Sequence, residues 1–340
     1  MLLTIGMATY DDFEGVYFTL HSLKLNNDLS DCELLVVDSK PEGCQHTKKA
    51  CADIGARYIH APTCQGTSAP RERVFTEALG DFVMCIDCHV LIEREGLIKF
   101  KEYIKNNLNT DDLLQGPLLY DNHKSISTHF EQKWGTDSMF GVWATDLRGY
   151  EKEPFEIPMQ GLGLFAMRKA SWPGFNRVFR GFGGEEGYLH EKVRQRGNKA
   201  LCLPWLKWIH RFVRPRGVPY PLSLEDRFFN YVVGRQELGL PMKDVMDAFK
   251  NKLSTTKIID LLNEISLYDI KYEMKKSEVG KMFEDRKTPC ISLGQIIDRS
   301  NCNCAGKFVH QCEKHEKARR YYRGRDGIKV CLTCENYDPA

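Results

Sequence analysis

Asp87 and His89 stand two residues apart at the end of an apolar run, Gly80-Asp81-Phe82-Val83-Met84-Cys85-Ile86-Asp87-Cys88-His89-Val90. In an extended chain residues i and i+2 point to the same side, so a carboxylate and an imidazole converge at the strand's C-terminal end. A mixed oxygen and nitrogen donor set suits Mn²⁺ better than Ca²⁺ and leaves coordination positions open for the oxygens of a diphosphate. A strand that merely closes on two polar residues is the competing reading, and a three-residue motif does not separate the two.

A second acidic pair, Glu185-Glu186, follows Gly183-Gly184 at the start of an amphipathic helix. Acidic side chains in a first turn are favoured by the helix dipole, which explains them without any chemistry. Alternatively, the glycines let the backbone approach a ligand closely, with one carboxylate binding it and the other serving as a general base. His210 lies between Trp208 and Phe212. Taken alone, it reads more simply as a core histidine.

The elements that must carry these groups alternate. Leu2 to Met7 reads as a strand, Phe13 to Leu25 as a helix, Glu33 to Val37 as a strand and Lys48 to Ile54 as a helix. Arg57 to His60 follows as a strand, Pro70 to Leu79 as a helix and Phe82 to Ile86 as a strand. Three successive βα units imply right-handed crossovers and a parallel sheet with helices on both faces. Ligands bind such sheets beyond the carboxyl ends of the strands, the edge where Asp38 and Asp87 fall.

Leu97 to Leu108 reads as a further helix. Tyr120 to Glu156, with Trp134, Phe140 and Trp143, has weak periodicity and suggests functional loops. Leu162 to Met167 and Ala200 to Phe212 read as strands, the latter ending at His210. From Leu222 to Phe283 apolar residues recur at three and four spacing, giving a helical region whose wide apolar face packs on the catalytic unit or a partner.

At 340 residues the chain is long for one domain, and its 42% hydrophobic and 28% charged residues are those of an ordinary soluble protein. A formal charge of +2 gives no overall push toward nucleic acid or an anionic membrane. No run of about 18 apolar residues occurs and Met1 leads straight into a strand, so no membrane span or leader is expected and the location reads as cytoplasmic. Of 13 cysteines, eight are scattered between Cys32 and Cys290, as expected of reduced thiols. The other five, Cys302, Cys304, Cys312, Cys331 and Cys334, crowd together at the end. Knuckles of the C-x-C and C-x-x-C kind in a reducing compartment fit a structural Zn²⁺ site better than disulfides, with Cys302 or Cys304 joining Cys312, Cys331 and Cys334. An iron-sulfur cluster is the lesser alternative. Between the knuckles, residues 314–325 interleave Lys314, Lys317, Arg319, Arg320, Arg323 and Arg325 with Tyr321 and Tyr322. That pattern either tracks a phosphate backbone and stacks on bases or forms a solvated loop.

In their order and spacing these features resemble the GT-A-fold glycosyltransferases over roughly residues 2 to 214. The carriers are Asp87-Cys88-His89, Gly161-Leu162-Gly163-Leu164-Phe165-Ala166-Met167, Phe182-Gly183-Gly184-Glu185-Glu186 and Trp208-Ile209-His210-Arg211-Phe212. The pattern looks most like the polypeptide N-acetylgalactosaminyltransferases, which use Asp-x-His. The glycine-glycine-acid turn also resembles the lactose-synthase-type galactosyltransferases. The resemblance implies a Rossmann-like mixed sheet flanked by helices in residues 1–215, ahead of a helical region at 216–290 and the Cys-rich tail at 291–340. It implies transfer of a sugar from a nucleotide-diphosphate donor, UDP-linked, with Mn²⁺ or Mg²⁺ held by Asp87, His89 and His210. Thr9, Tyr10, Asp12, Asp38 and Arg71 would contact the donor, and Glu185 and Glu186 would be catalytic, with Glu186 the base if the enzyme inverts. The acceptor is a hydroxylated base in nucleic acid, a protein or a glycan.

Two rivals stand beside this reading. A sugar nucleotidyltransferase would place a glycine-rich basic loop after its first strand, where this chain has Ala8-Thr9-Tyr10-Asp11-Asp12. A zinc-knuckle nucleic-acid-binding protein with an inactive sheet domain would have no need of Asp87, His89, His210 and Glu185.

Overall fold

The computed structural model describes residues 1–214 and 217–268, together with the backbone of three short strands, Ile291–Ser292, Tyr321–Arg323 and Lys329–Cys331, that pair antiparallel. The chain divides into two compact units, Met1–Arg227 and Phe228–Ala340. Cys302, Cys304, Cys312 and Cys334, the side chain of Cys331 and most of the basic loop at 314–325 lie outside the described residues.

In the first unit β1 (Leu3–Thr9), α1 (Phe13–Asn26), β2 (Cys32–Asp38), α2 (Gln45–Ile54), β3 (Arg57–His60), α3 (Ser68–Glu77) and β4 (Phe82–Asp87) follow the expected alternation. β3, β2, β1 and β4 lie side by side and parallel. β1, β2 and β4 read as almost unbroken apolar runs because both faces are covered, whereas β3 at the sheet edge is half-buried. Leu3, Ile5 and Met7 of β1 pack with Val16 and Leu20 of α1 and with Phe100 of α4 (Gly96–Asn106) in one buried cluster. The alternate residues, such as Leu35, Val37, Val83 and Cys85, are buried on the opposite face. Truncating a side chain such as Ile5 to alanine there costs about 2–5 kcal/mol.

The second half reverses direction. β5 (Val90–Ile92) follows β4, and β6 (Leu113–Gln115), β7 (Leu118–Leu119) and β8 (Ile126–Ser127) are short. β9 (His129–Trp134) and β10 (Phe140–Ala144) form an antiparallel hairpin with a register shift between Phe140 and Val142. The stretch expected to be loops is therefore partly a hairpin, and its aromatic residues pack in pairs, with Phe130 and Trp143 edge to face at 4.4 Å. β11 (Phe155–Glu156), β12 (Leu164–Arg168), α5 (Glu185–Gln195), β13 (Ala200–Cys202) and β14 (Trp208–His210) complete the unit. The main sheet runs β11-β13-β6-β12-β4-β1-β2-β3, with β12 antiparallel to β4. Ala200 to Phe212 was expected as one strand but is two, in different sheets, because the chain turns at Leu203–Lys207 and β14 joins β5 and β7 instead.

The helical region begins with α6 (Leu224–Leu238) and continues as α7 (Lys243–Phe249) and α8 (Thr255–Ile265). Within the second unit Phe228 meets Phe249 and Phe229 meets Tyr268. Ser254 caps α8 by accepting from the Lys257 N–H at 3.2 Å. Among the described residues no helix is long and apolar enough to cross a membrane.

Candidate active site

Strand pairing assembles the site. β4 ends at Asp87, and the Asp87 N–H donates to Gly163 O at 2.9 Å, which ties that strand end to the approach to β12. β5 pairs antiparallel with β14 so that Val90 faces His210, and the Arg211 N–H donates to His89 O at 3.2 Å. His89 and His210, 121 residues apart, are thereby set with their Nε2 atoms 3.1 Å from each other. The absence of a side chain at Gly163 permits this, since a Cβ there would fall 2.8 Å from the Trp208 ring and 3.3 Å from His210.

Asp87, His89 and His210 offer one ligand atom each within 4.8 Å of one another. Asp87 Oδ2 lies 3.4 Å from His210 Nε2, while its Oδ1 accepts from Arg71 Nη2 at 2.8 Å. Burial alone would raise the Asp87 carboxyl, but Arg71 and the contact with His210 hold it below the usual carboxylate range. His89 is pushed down from its ordinary value by burial, against the pull of Asp12, and is neutral near pH 7 as a ligand must be. His210 Nδ1 is buried with no hydrogen-bond partner among the described residues. Two imidazoles and an ionised carboxylate converging on one point fit a divalent ion of the Mn²⁺ type.

These groups line a cavity of about 620 Å³. Thr9, Tyr10, Asp12 and Arg71 also line it. Asp12 does more than line it. Its Oδ2 takes His89 Nδ1 at 3.0 Å, and its Oδ1 accepts from the Gly15 N–H and from Arg211 Nη2. Arg71, in the first turns of α3, is buried rather than on the surface. Asp38 is 0% exposed and does not line the cavity. Its carboxylate accepts from the Lys40 N–H at 3.0 Å, as a turn-forming aspartate does, and from Tyr58 Oη at 2.7 Å.

On another side of the cavity Gly183 and Gly184, at φ +103° and +100°, turn the chain into α5 through two left-handed positions that other residues resist. Glu185 and Glu186 then occupy the first turn. Glu186 lines the cavity and Glu185 does not. Glu185 Oε1 accepts from Thr67 Oγ1 and from Ser68 Oγ at the start of α3, so it ties two elements together. Glu186 is 9% exposed and its Oε2 has no hydrogen-bond partner among the described residues. Burial, and then the neighbouring Glu185 charge, push its carboxyl up to about 7.

Several lining residues escaped the sequence reading. Arg214 Nη2 lies 2.7 Å from His89 Nε2, and Tyr220 stands edge to face with Tyr10 at 6.3 Å between ring centres. The basic run His210-Arg211-Phe212-Val213-Arg214 was the available signal, since cations next to a metal histidine suit a phosphate. Phe130, Met139 and Trp143 form an apolar wall of the same cavity. Gly161 sits beneath it, where a Cβ would meet Trp143 at 3.1 Å.

A sheet of this order with candidate metal ligands at the end of β4 is a GT-A-like arrangement. Residues 4–166, just under half of the chain, match the family model described as glycosyl transferase family 2. The chain thus has a mixed α/β GT-A-like fold with a sheet flanked by helices, as the sequence led one to expect. Among solved structures it is similar to GalNAc-T7 with UDP, GalNAc and Mn²⁺, at 15% identity and a TM-score of 0.56 over 84% of this chain. It spans 54% of the GalNAc-T7 chain, about half. S. aureus TarS 1–349 in complex with UDP-GlcNAc aligns over 98% of this chain and 97% of its own, at 14% identity and a TM-score of 0.49. No curated protein matches the sequence.

Proposed function

We propose that the protein transfers a sugar from a nucleotide-diphosphate donor, UDP-linked, to an acceptor hydroxyl with the help of Mn²⁺ or Mg²⁺. The observation that carries this reading is the convergence of Asp87, His89 and His210 on a cavity that Glu186 also lines. The GalNAc-T7 structure, with its UDP, GalNAc and Mn²⁺, supports the same cofactor and donor class. Asp87, His89 and His210 would hold the ion, which when bound neutralises the diphosphate and the charge of the departing nucleotide.

The chain's own groups do the rest. Arg71 offers a forked donor to a phosphate once that charge shares it with Asp87. Thr9 and Tyr10 would border the donor, whereas Asp38, fully buried and off the cavity, holds Tyr58 and the Lys40 turn and is no donor contact. Glu186, held up to about 7 and lacking a partner for Oε2, takes the acceptor proton if the sugar's configuration inverts. Glu185 positions the turn through Thr67 and Ser68.

Phe130 and Trp143 favour an acceptor with a planar or apolar face. A hydroxylated base in nucleic acid has one, and the basic aromatic segment 314–325 would engage its phosphates. Cys302, Cys304, Cys312, Cys331 and Cys334 are the proposed ligands of a structural Zn²⁺ in the tail. A nucleotide-sugar screen tests the core of the reading without any acceptor. Slow hydrolysis of one UDP-sugar that stops in a chelator and returns with Mn²⁺ is expected. Undiminished activity in the chelator would overturn the metal assignment.

A further inference from the structure

We propose that Asp12 is a positioning residue which locks His89 in the tautomer whose Nε2 is free to bind the metal ion. The inference rests on the metal reading above and goes beyond it, because it takes Asp12 away from the donor and gives it to a ligand. The two ring nitrogens of His89 face partners of opposite chemistry. Nδ1 lies 3.0 Å from Asp12 Oδ2, and an ionised carboxylate only accepts, so Nδ1 carries the proton. Nε2 lies 2.7 Å from Arg214 Nη2, and a guanidinium only donates, so Nε2 holds the lone pair. Both partners thus assign the same tautomer.

The carboxylate is itself fixed. Asp12 is buried, its Oδ1 is engaged by the Gly15 N–H at 3.0 Å and by Arg211 Nη2 at 2.8 Å, and its Oδ2 meets the imidazole with only the weak Cys88 thiol contact at 3.7 Å beside it. Among the described residues His210 has no counterpart to this arrangement, since its Nδ1 is buried without a hydrogen-bond partner there. One histidine ligand is therefore set in advance and the other must adjust when the ion arrives. A carboxylate behind a metal-bound histidine fixes ring orientation and raises ligand basicity, and losing it typically costs 10–100-fold in metal affinity.

Asp12→Asn separates this role from helix capping, because asparagine caps a helix as well as aspartate does. With its oxygen kept by the Gly15 N–H, the amide NH₂ would face His89 Nδ1 as a donor and reverse the tautomer. Long-range ¹H–¹⁵N NMR of the metal-free full chain, with the signal identified by its loss in His89→Ala, should show protonated Nδ1 in the wild type and protonated Nε2 in D12N. Mn²⁺ affinity, followed by the free-ion EPR signal, should fall ~10–100-fold in D12N with little change in melting temperature. Arg211→Ala, which leaves cap and histidine alone, should lower it several-fold and provides a second route if D12N folds poorly. Protonated Nε2 in the wild type, or wild-type Mn²⁺ affinity in both variants, would overturn the lock. Absence of Mn²⁺ binding by the wild type would instead overturn the metal reading, so the two failures are distinct.

Discussion

Carboxylates on two sides of one cavity are held in opposite charge states. Asp87 lies against Arg71 and Asp12 against Arg211 and His89, so both stay ionised below the usual carboxylate range although burial opposes it. Glu186 is as well buried, has another carboxylate as its chain neighbour, and is driven up to about 7. The difference is one of partners rather than of residue type. Environments that push apart the titration of like groups mark a division of labour, here between the groups proposed to hold a cation and the one proposed to exchange a proton.

The sharpest way to break that comparison is to remove the cation-holding side. Asp87→Ala or His89→Ala should lower turnover by ~10³-fold, the scale of losing the main electrostatic support for a departing anion. Addition of excess Mn²⁺ should not restore it, and His210→Ala should behave alike. Near-normal turnover in any of the three would mean that the cluster is only a polar strand end. If His210→Ala loses its cooperative melting instead, the core reading of that histidine wins.

On the proton-exchanging side, Glu186→Gln should reduce turnover by roughly 10²-fold and leave donor affinity within a few-fold. In the wild type kcat/KM should rise with pH up to about 7, because the raised carboxyl must lose its proton before it can accept one. A rise of the same size in E186Q would assign the titration elsewhere. Glu185→Gln, whose carboxylate holds Thr67 and Ser68, should cost only ~10-fold. NMR of the product's anomeric carbon distinguishes a base from a merely positioning carboxylate.

The same contrast divides what could be read from the residues. β1, β2 and β4 were legible because each is a buried apolar run punctuated by a helix, and Asp87 and His89 stand at the end of the most apolar of them, while the half-buried β3 is marked only by its place between two helices. In the second half β6, β7, β8 and β11 are two or three residues long, too short for any period to declare itself. Leu203-Pro204-Trp205-Leu206 continues an apolar pattern through a turn, and Pro204 was the one local sign that β13 and β14 are separate. Aromatic residues at 130–143 were visible, but their half-buried pairing depends on β12 and β14, which are distant in sequence. Asp12 could not be assigned from its neighbours, since its partners are His89 and Arg211.

The smallest expected effect is on stability, and it sharpens the comparison because the two sides should respond with opposite sign. For Asp87, whose carboxyl is depressed in the fold, the stabilising contribution is complete above the unfolded pKa and is lost as pH falls through the folded one. For Glu186 the folded value is raised, so stability is greatest while the group stays protonated and is lost as pH climbs from the unfolded value toward about 7. In the chelated protein at pH 8, Glu186→Gln should therefore raise the melting temperature of the catalytic unit by about 2–4 °C, as relief of a kcal/mol or so does in a unit of this size. Asp87→Asn should lower it under the same conditions, because Arg71 would be left buried beside a neutral amide. At pH 5 the gain in E186Q should shrink to a small part of its pH 8 size, since the native carboxyl is then protonated and only the lowest part of the loss has accrued. A rise that persists unchanged at pH 5 would trace the effect to packing, and a fall at pH 8 would show that Glu186 is stabilised as an anion and cannot be the proton acceptor.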